Sequence, residues 1–391
     1  MTTDGTRWPG IQGPKLGEIL PRENNSFGVM RLLLASTVVV AHVFMMHAGT
    51  PTADPVLQFT GYTSGQHAVQ GFFVLSGILV TQSLAQSRGL ADFISARFLR
   101  IFPGLIACVL LTSLVLGPLV SAFSPGQYFS SETLWTYIGL TLALKTGSAP
   151  LPGVFEHVPM ANIVNLSLWT LKFEVVCYAL LGLGGTALLS RHRPRPLGLA
   201  LAAGFAAFLL WKHPALVEGN TVFDSLRYFA LFFGTGVAAY LLREHIVINA
   251  FVLSLIAVLF AISIGTPLTE FAAALLLGYG MLWLSAFSFG RLRQFTSRHD
   301  LSYGVYIYGV PVTQTLLYNW PGISVPALGL FSFVIVLPLA ALSWLIVERP
   351  AIGFRPILSE ALAKLVVRFG PATREAERQI RQPVNATTHP E

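Results

Sequence analysis

The chain has 391 residues, of which 53% are hydrophobic and only 11% charged, with a mean hydropathy of +0.64. A soluble domain carries about 25% charged residues, so the composition excludes an ordinary soluble globular protein and points to a polytopic membrane protein. The net charge of +7 reads as a membrane-topology signal rather than a nucleic-acid footprint, because little soluble surface remains.

Residues 1–26 are polar and lack an apolar leader with a small-residue cleavage site, so they read as a cytoplasmic N-terminal tail. The first apolar span, 27–47, contains "RLLLASTVVVAH", Arg31 to His42. Eleven residues at 100° each leave about 20° after whole turns, so both side chains share one helix face. The rise between them is about 16 Å. With Arg31 at an edge, His42 falls near the middle of a hydrocarbon core about 30 Å thick. Ionisable groups at that depth are functional candidates. The plainer alternative is a hydrogen-bonded core histidine with Arg31 reaching the headgroups.

The second span, 67–86, carries "GFFVLSGILVTQSL", with Ser76-Gly77 in mid-span. Small residues there either pack helices closely or leave a polar opening beside His42. The third, 101–123, is preceded by "ARFLRIFP". Arg97 and Arg100 are three apart and share a face. Two arginines at a helix mouth suit phosphate oxygens, or simply fix topology. An apolar piece at 133–144 is too short to cross comfortably and reads as re-entrant or interfacial.

The fourth span, 167–189, lies within and beyond "NLSLWTLKFEVVCYALL" and buries Glu174. A carboxylate there needs a partner, Lys172 or a cation on another helix, or has acid–base work. Further spans are 196–211, 226–242, 246–264 and 268–288. The ninth, 302–319, opens on "LSYGVYIYGVP", whose Tyr303, Tyr306 and Tyr308 read as an aromatic belt. The tenth, 325–347, ends on "SWLIVERP", placing Glu348 in reach of the arginines as a structural ion-pair partner. A short amphipathic stretch, 358–370, suits a membrane surface, and the tail from Pro371 is polar. The fold expected is therefore all-α and polytopic, with about ten transmembrane helices plus one re-entrant or interfacial segment. Its parts are a tail at 1–26, a membrane domain at 27–350, and an amphipathic segment with a disordered tail at 351–391.

Arginines alternate between loops so that both termini fall in the cytoplasm. The two cysteines, Cys108 and Cys177, lie in apolar runs, and no CxxC spacing is present. Neither a disulfide framework nor a metal site is expected.

Taken in order, these motifs are Arg-x10-His, FFxLSG, RxxRxxP, SLWTLxxE, SYGxYxxxxP and SxxxxExP. The series resembles the acyltransferase 3 family of bacterial inner-membrane O-acyltransferases across residues 27–350. The resemblance implies transfer of an acyl group, acetyl by default, from cytoplasmic acyl-CoA to a carbohydrate or glycoconjugate hydroxyl. It places His42 and Glu174 at the chemistry and Arg31, Arg97, Arg100 and Ser76 along the donor path. Acyl-CoA is then a substrate, with no permanently bound cofactor. Many members carry a histidine two residues before the proline of SYGxYxxxxP, where this chain has Gly309. The competing reading is a transporter or flippase for an acylated glycan or lipid. The motif order and the lack of a visible internal repeat weigh against it.

Overall fold

The computed structural model describes residues 13–21, 23–146, 149–189 and 221–369. Among the described residues it is helical, with two isolated β-bridges and no strand. Helix α1, Phe27–Ala48, ends where Gly49 turns left-handed with φ of 73°. A Cβ on Gly49 would meet the Pro159 carbonyl at 2.7 Å, so glycine is required there twice over. Helix α2, Ser64–Gln86, starts with a reciprocal cap between Thr63 and Gln66. Helix α3, Leu90–Leu110, continues through a π-helical turn, Leu111–Leu116, to Val120.

The short helix α4, Glu132–Leu142, occupies the stretch expected not to cross. A 3-10 turn, Leu166–Thr170, leads into α5, Leu171–Leu189. Then come α6, Val222–Leu241, α7, Ala250–Ser263, and α8, Thr269–Ser285. Helix α9, Gly290–Arg298, turns away from α8 by 105°. Helix α10, Ser302–Asn319, is followed by α11, Val325–Ser343, which runs through a second π-helical turn, Trp344–Glu348. Helix α12, Arg355–Phe369, covers the amphipathic stretch.

Among the described residues, five helices are long and apolar enough to cross a membrane, or six if the bent pair α8–α9 counts as one. This fits a membrane protein but falls short of the ten spans expected. The stretch 196–211 lies outside the described residues. The rest of the difference has physical causes. Helices α7 and α8 occupy expected spans but have 14 and 17 residues, short of the ~20 that a bilayer asks for. Helices α6 and α10 are long enough, but Asp224 and Arg227 on one, and four tyrosines and Gln314 on the other, dilute their apolar character.

Helix α10 is buried along most of its length, packed between α1 and α11, while α2 lies between α1 and α6. The expected aromatic belt is therefore an internal polar seam. Tyr303 donates to the Ile101 carbonyl at 2.8 Å and Tyr306 to the Ser167 carbonyl at 2.8 Å. Part of the N-terminal tail is also packed: Leu16, Ile19 and Leu20 are buried, and Leu16 N–H donates to the Ile246 carbonyl. Cys108 and Cys177 are free and buried.

Helices α2 and α6 touch backbone to backbone at Gly77 and Gly236. A Cβ on Gly77 would lie 3.0 Å from the Gly236 Cα and run into the Phe233 carbonyl. Neither backbone can move without shifting a whole helix. Gly77→Ala and Gly236→Ala should each destabilise the protein by about 1–3 kcal/mol. Thermal unfolding in detergent measures this, and an unchanged midpoint would show that the crossing is not tight.

Candidate active site

The starts of α1 and α10 and the end of α11 meet beside Arg100, in the middle of α3. The reason is electrostatic. Asp300, just before α10, accepts from Arg31 of α1 at 3.0 Å and from Arg100 of α3 at 2.6 Å. Arg100 also donates to Glu348 at 3.1 Å, and Glu348 accepts from Ser343 at 3.0 Å. Burial pushes the Asp300 carboxyl up, but Arg100 and Arg31 outweigh it and hold it down at about 2. Glu348 is thus the ion-pair partner that its position suggested. Asp300 is the member the sequence reading missed; its signal was an acid two residues before Ser302 at a helix start.

Arg97, one turn before Arg100, is treated differently. It donates to Ser83 at 3.2 Å and lies over the Tyr178 ring, 5.9 Å from its centroid. Among the described residues no carboxylate comes within ion-pair distance of it. Of the three expected donor-path arginines, two are bridged by Asp300 and Arg97 keeps its charge unneutralised.

Two connected cavities meet at these residues. A vestibule of about 760 Å³ is bordered by Arg293, Arg298 and Arg355 as well as Arg31, Arg97 and Arg100. Arg355 is held by both oxygens of Asp92, at 2.8 and 2.9 Å. An inner cavity of about 110 Å³ shares Arg31, Leu79, Arg97 and Arg100 with the vestibule, which makes them its mouth. Halfway in sit Ser76, Glu174 and Tyr178. Ser76 donates to Glu174 at 3.2 Å, and Tyr178 makes a short hydrogen bond to the same carboxylate oxygen. Lys172 instead lies against the Phe173 ring, 4.9 Å from its centroid. Tyr178 was not picked out from the sequence, although its i+4 spacing from Glu174 put both on one face.

Beyond that level the inner cavity is lined by Val69, Phe72, Phe73, Thr170 and Tyr306, which form its floor. Phe72 meets Tyr306 edge to face, with ring centroids 5.9 Å apart. His42 lies beyond this floor. A Cβ on Gly71 would meet Leu34, and one on Gly65 would meet Ala41, so α1 and α2 are antiparallel. Val69 is then level with about residue 36 of α1, which leaves His42 about 9 Å further along the axis. His42 Nδ1 is buried without a hydrogen-bond partner among the described residues. By the same register Ser76 is near the level of Arg31, beside Glu174 and not beside His42.

The Acyltransferase domain family matches residues 24–348. The chain belongs to the acyltransferase 3 family. It is 31% identical to an "O-acetyl transferase" of Shigella phage Sf6 over 344 residues, 84% of this chain and 96% of that one. It is 29% identical to "Nodulation protein 10" of Rhizobium leguminosarum bv. viciae over 366 residues, 85% of this chain and 95% of that one. No solved structure matches it with significant similarity.

As a membrane-bound acyltransferase of this family, the chain is an enzyme, which sets aside the transporter reading. The motif residues of the acyltransferase fall into two groups. Arg31, Ser76, Arg97, Arg100 and Glu174 line the inner cavity, and Glu348 fastens its mouth. His42 stands apart on the far side of the floor. Gly309 faces α1: a Cβ there would lie 2.8 Å from Val39 Cγ2, three residues before His42. A larger side chain at that position would force α1 and α10 apart just below the imidazole.

Asp300→Asn should leave two arginines without their shared anion. Breaking a buried pair costs about 3–5 kcal/mol; the lower figure applies because Arg31 keeps 28% of its side chain exposed. The sign with pH follows from the depressed value. The contribution is complete above the ordinary carboxylate range near 3.9 and is lost only as pH falls through about 2. Denaturation of the parent should therefore show no step from this group between pH 5 and 9, and Asp300→Asn should lower the midpoint throughout that range. A midpoint equal to the parent's would mean that the triad contributes nothing.

Proposed function

We propose that the protein is an integral membrane O-acyltransferase that moves an acyl group, acetyl by default, from acyl-CoA to a hydroxyl of a carbohydrate or glycoconjugate. The observation that carries this reading is the pair of joined cavities: a wide basic vestibule opening through Arg97 into a narrow inner cavity that holds Glu174. Coenzyme A has that form, a polyphosphate end on a slender arm with the thioester at its tip. Arg293 and Arg298 have no carboxylate within ion-pair distance among the described residues, and Arg97 has none either. They suit phosphate oxygens, for which the guanidinium fork is well matched. The name of the phage relative, O-acetyl transferase, supports both the acetyl group and the hydroxyl acceptor.

In this reading the arm passes Arg97 and the thioester sulfur lies beside Ser76, Glu174 and Tyr178. The acyl carbonyl then lies at the floor. His42 takes the proton of the acceptor hydroxyl as the new C–O bond forms and the C–S bond breaks. The leaving thiolate receives a proton on the Glu174 side. An acyl-histidine on His42 is the covalent variant of the same transfer. Either way the floor has to open when acceptor and acyl group meet. The vestibule faces the cytoplasm, both termini lie there, and the membrane is the bacterial inner membrane. The arginine alternation along the chain supports this orientation.

Purified protein incubated with radiolabelled acetyl-CoA and candidate glycans should transfer label. Arg97→Ala should raise the KM for acyl-CoA about 10–150-fold, the worth of one charge-assisted contact. Equal acyl-CoA binding by Arg97→Ala and the parent would count against the vestibule as the donor site. His42→Gln should lower turnover per folded molecule about 10²–10⁴-fold, as loss of a general base does. Near-normal turnover in His42→Gln would remove His42 from the chemistry and leave Glu174 to carry it.

A further inference from the structure

On the reading that acyl-CoA passes Arg97 and meets Glu174, a carboxylate on α5 has to keep its place relative to a cation on α3. One side chain touches both. The Tyr178 hydroxyl makes a short hydrogen bond to Glu174 Oε1, and the Arg97 guanidinium lies over the Tyr178 ring, 5.9 Å from its centroid. The remaining hydrogen-bond partners among the described residues are divided: Ser76 bonds Glu174 but not Arg97, and Ser83 bonds Arg97 but not Glu174.

The hydroxyl decides which carboxylate oxygen is left for a substrate. A carboxylate in mostly apolar surroundings takes the orientation that its donors dictate, because an unmade bond is costly there. Ser76 donates to Oε1 at 3.2 Å, and Tyr178 donates to that same oxygen. Oε2 accepts no hydrogen bond among the described residues, so it is the oxygen left to the cavity that Glu174 lines. Tyr178 is itself held in place. It is buried, its hydroxyl lies 3.5 Å from Ser76 Oγ, and its ring meets Phe233 of α6 with centroids 6.2 Å apart. The tyrosine thus has fixed contacts on α2, α3 and α6 while it stands one turn from Glu174 on α5.

We propose that Tyr178 is a positioning residue of the acyl transfer: its hydroxyl holds Glu174 with Oε2 toward the cavity, and its ring seats Arg97 at the mouth. One side chain then sets the spacing between the cation that meets the donor's phosphates and the carboxylate that meets its sulfur. The two halves of the role can be removed separately. Phenylalanine deletes the hydroxyl and keeps the ring under Arg97; leucine deletes both.

The test is steady-state transfer from acetyl-CoA by the full chain in detergent, with each rate normalised to folded protein. Tyr178→Phe should lower kcat about tenfold or more, the worth of a hydrogen bond to a charged group, and leave the KM for acetyl-CoA within about threefold of the parent. Tyr178→Leu should lower kcat as well and raise that KM about 2–30-fold, as loss of a cation–π contact does; it gives the kcat comparison a second variant. In a Glu174→Gln background, Tyr178→Phe should cost less than about twofold more, because the two residues act as one unit. A kcat within about twofold of the parent in both Tyr178 variants would overturn the proposal. So would a full loss from Tyr178→Phe in the Glu174→Gln background, the mark of a tyrosine that serves only the fold. Near-normal turnover in Glu174→Gln alone would instead remove Glu174 from the chemistry, and a parent that uses no acyl-CoA would overturn the donor reading itself.

Discussion

The end of the bundle where the arginines gather hangs on one shared anion. Asp300 accepts from Arg31 and Arg100, and Arg100 passes on to Glu348. Two cations and two carboxylates thus meet where α1, α3, α10 and α11 converge. In surroundings of low dielectric, an arginine that enters a helix bundle has to find a carboxylate or remain in water. This quartet fixes the depth of four helices against one another. It also sets which charges are left over. With Arg31 and Arg100 bridged by Asp300, the inner cavity's mouth presents Arg97 as its unneutralised cation, over the Tyr178 ring.

The two π-helical turns serve the same end. Such turns insert an extra residue per turn and are frequent at functional sites. In α11 the turn Trp344–Glu348 comes where Glu348 must point inward at Arg100 while Ser343 reaches its other oxygen. In α3 the turn Leu111–Leu116 follows Cys108 and precedes Gly117, against which the Tyr128 side chain packs. Helix geometry is thus adjusted at two places where long spans approach the polar interior.

The rings of Phe72, Phe73 and Tyr306, with Thr170, line the inner cavity past the level of Glu174, on the side toward His42. His42 itself lines neither cavity. These groups come from three places in the chain: Phe72 and Phe73 on α2, Tyr306 on α10 and Thr170 before α5.

How much of this was legible in the sequence differs from residue to residue. The bilayer acts as a solvent with one rule, that backbone groups pair within a helix. Apolar runs therefore announced α1, α2 and α11, and the 3.6-residue period put Arg31 and His42 on one face. The order of spaced motifs identified the family for the same reason: each motif is short and local. Partners across helices were not local. Asp300 lies 200 residues from Arg100, and Glu174 turned to Tyr178 and Ser76 and away from Lys172. Which side chains meet depends on crossing geometry, and here that is set by the backbone contact of Gly77 with Gly236. Apolar runs counted ten spans, with 226–242 and 302–319 among them, whereas the polar groups of α6 and α10 keep those helices out of the five or six candidate spans of the described residues. The sequence by itself determined helices, faces and family; only the tertiary structure decided which arginine stays unneutralised and that Glu174 lines the inner cavity while His42 does not, because both follow from contacts between helices distant in the chain.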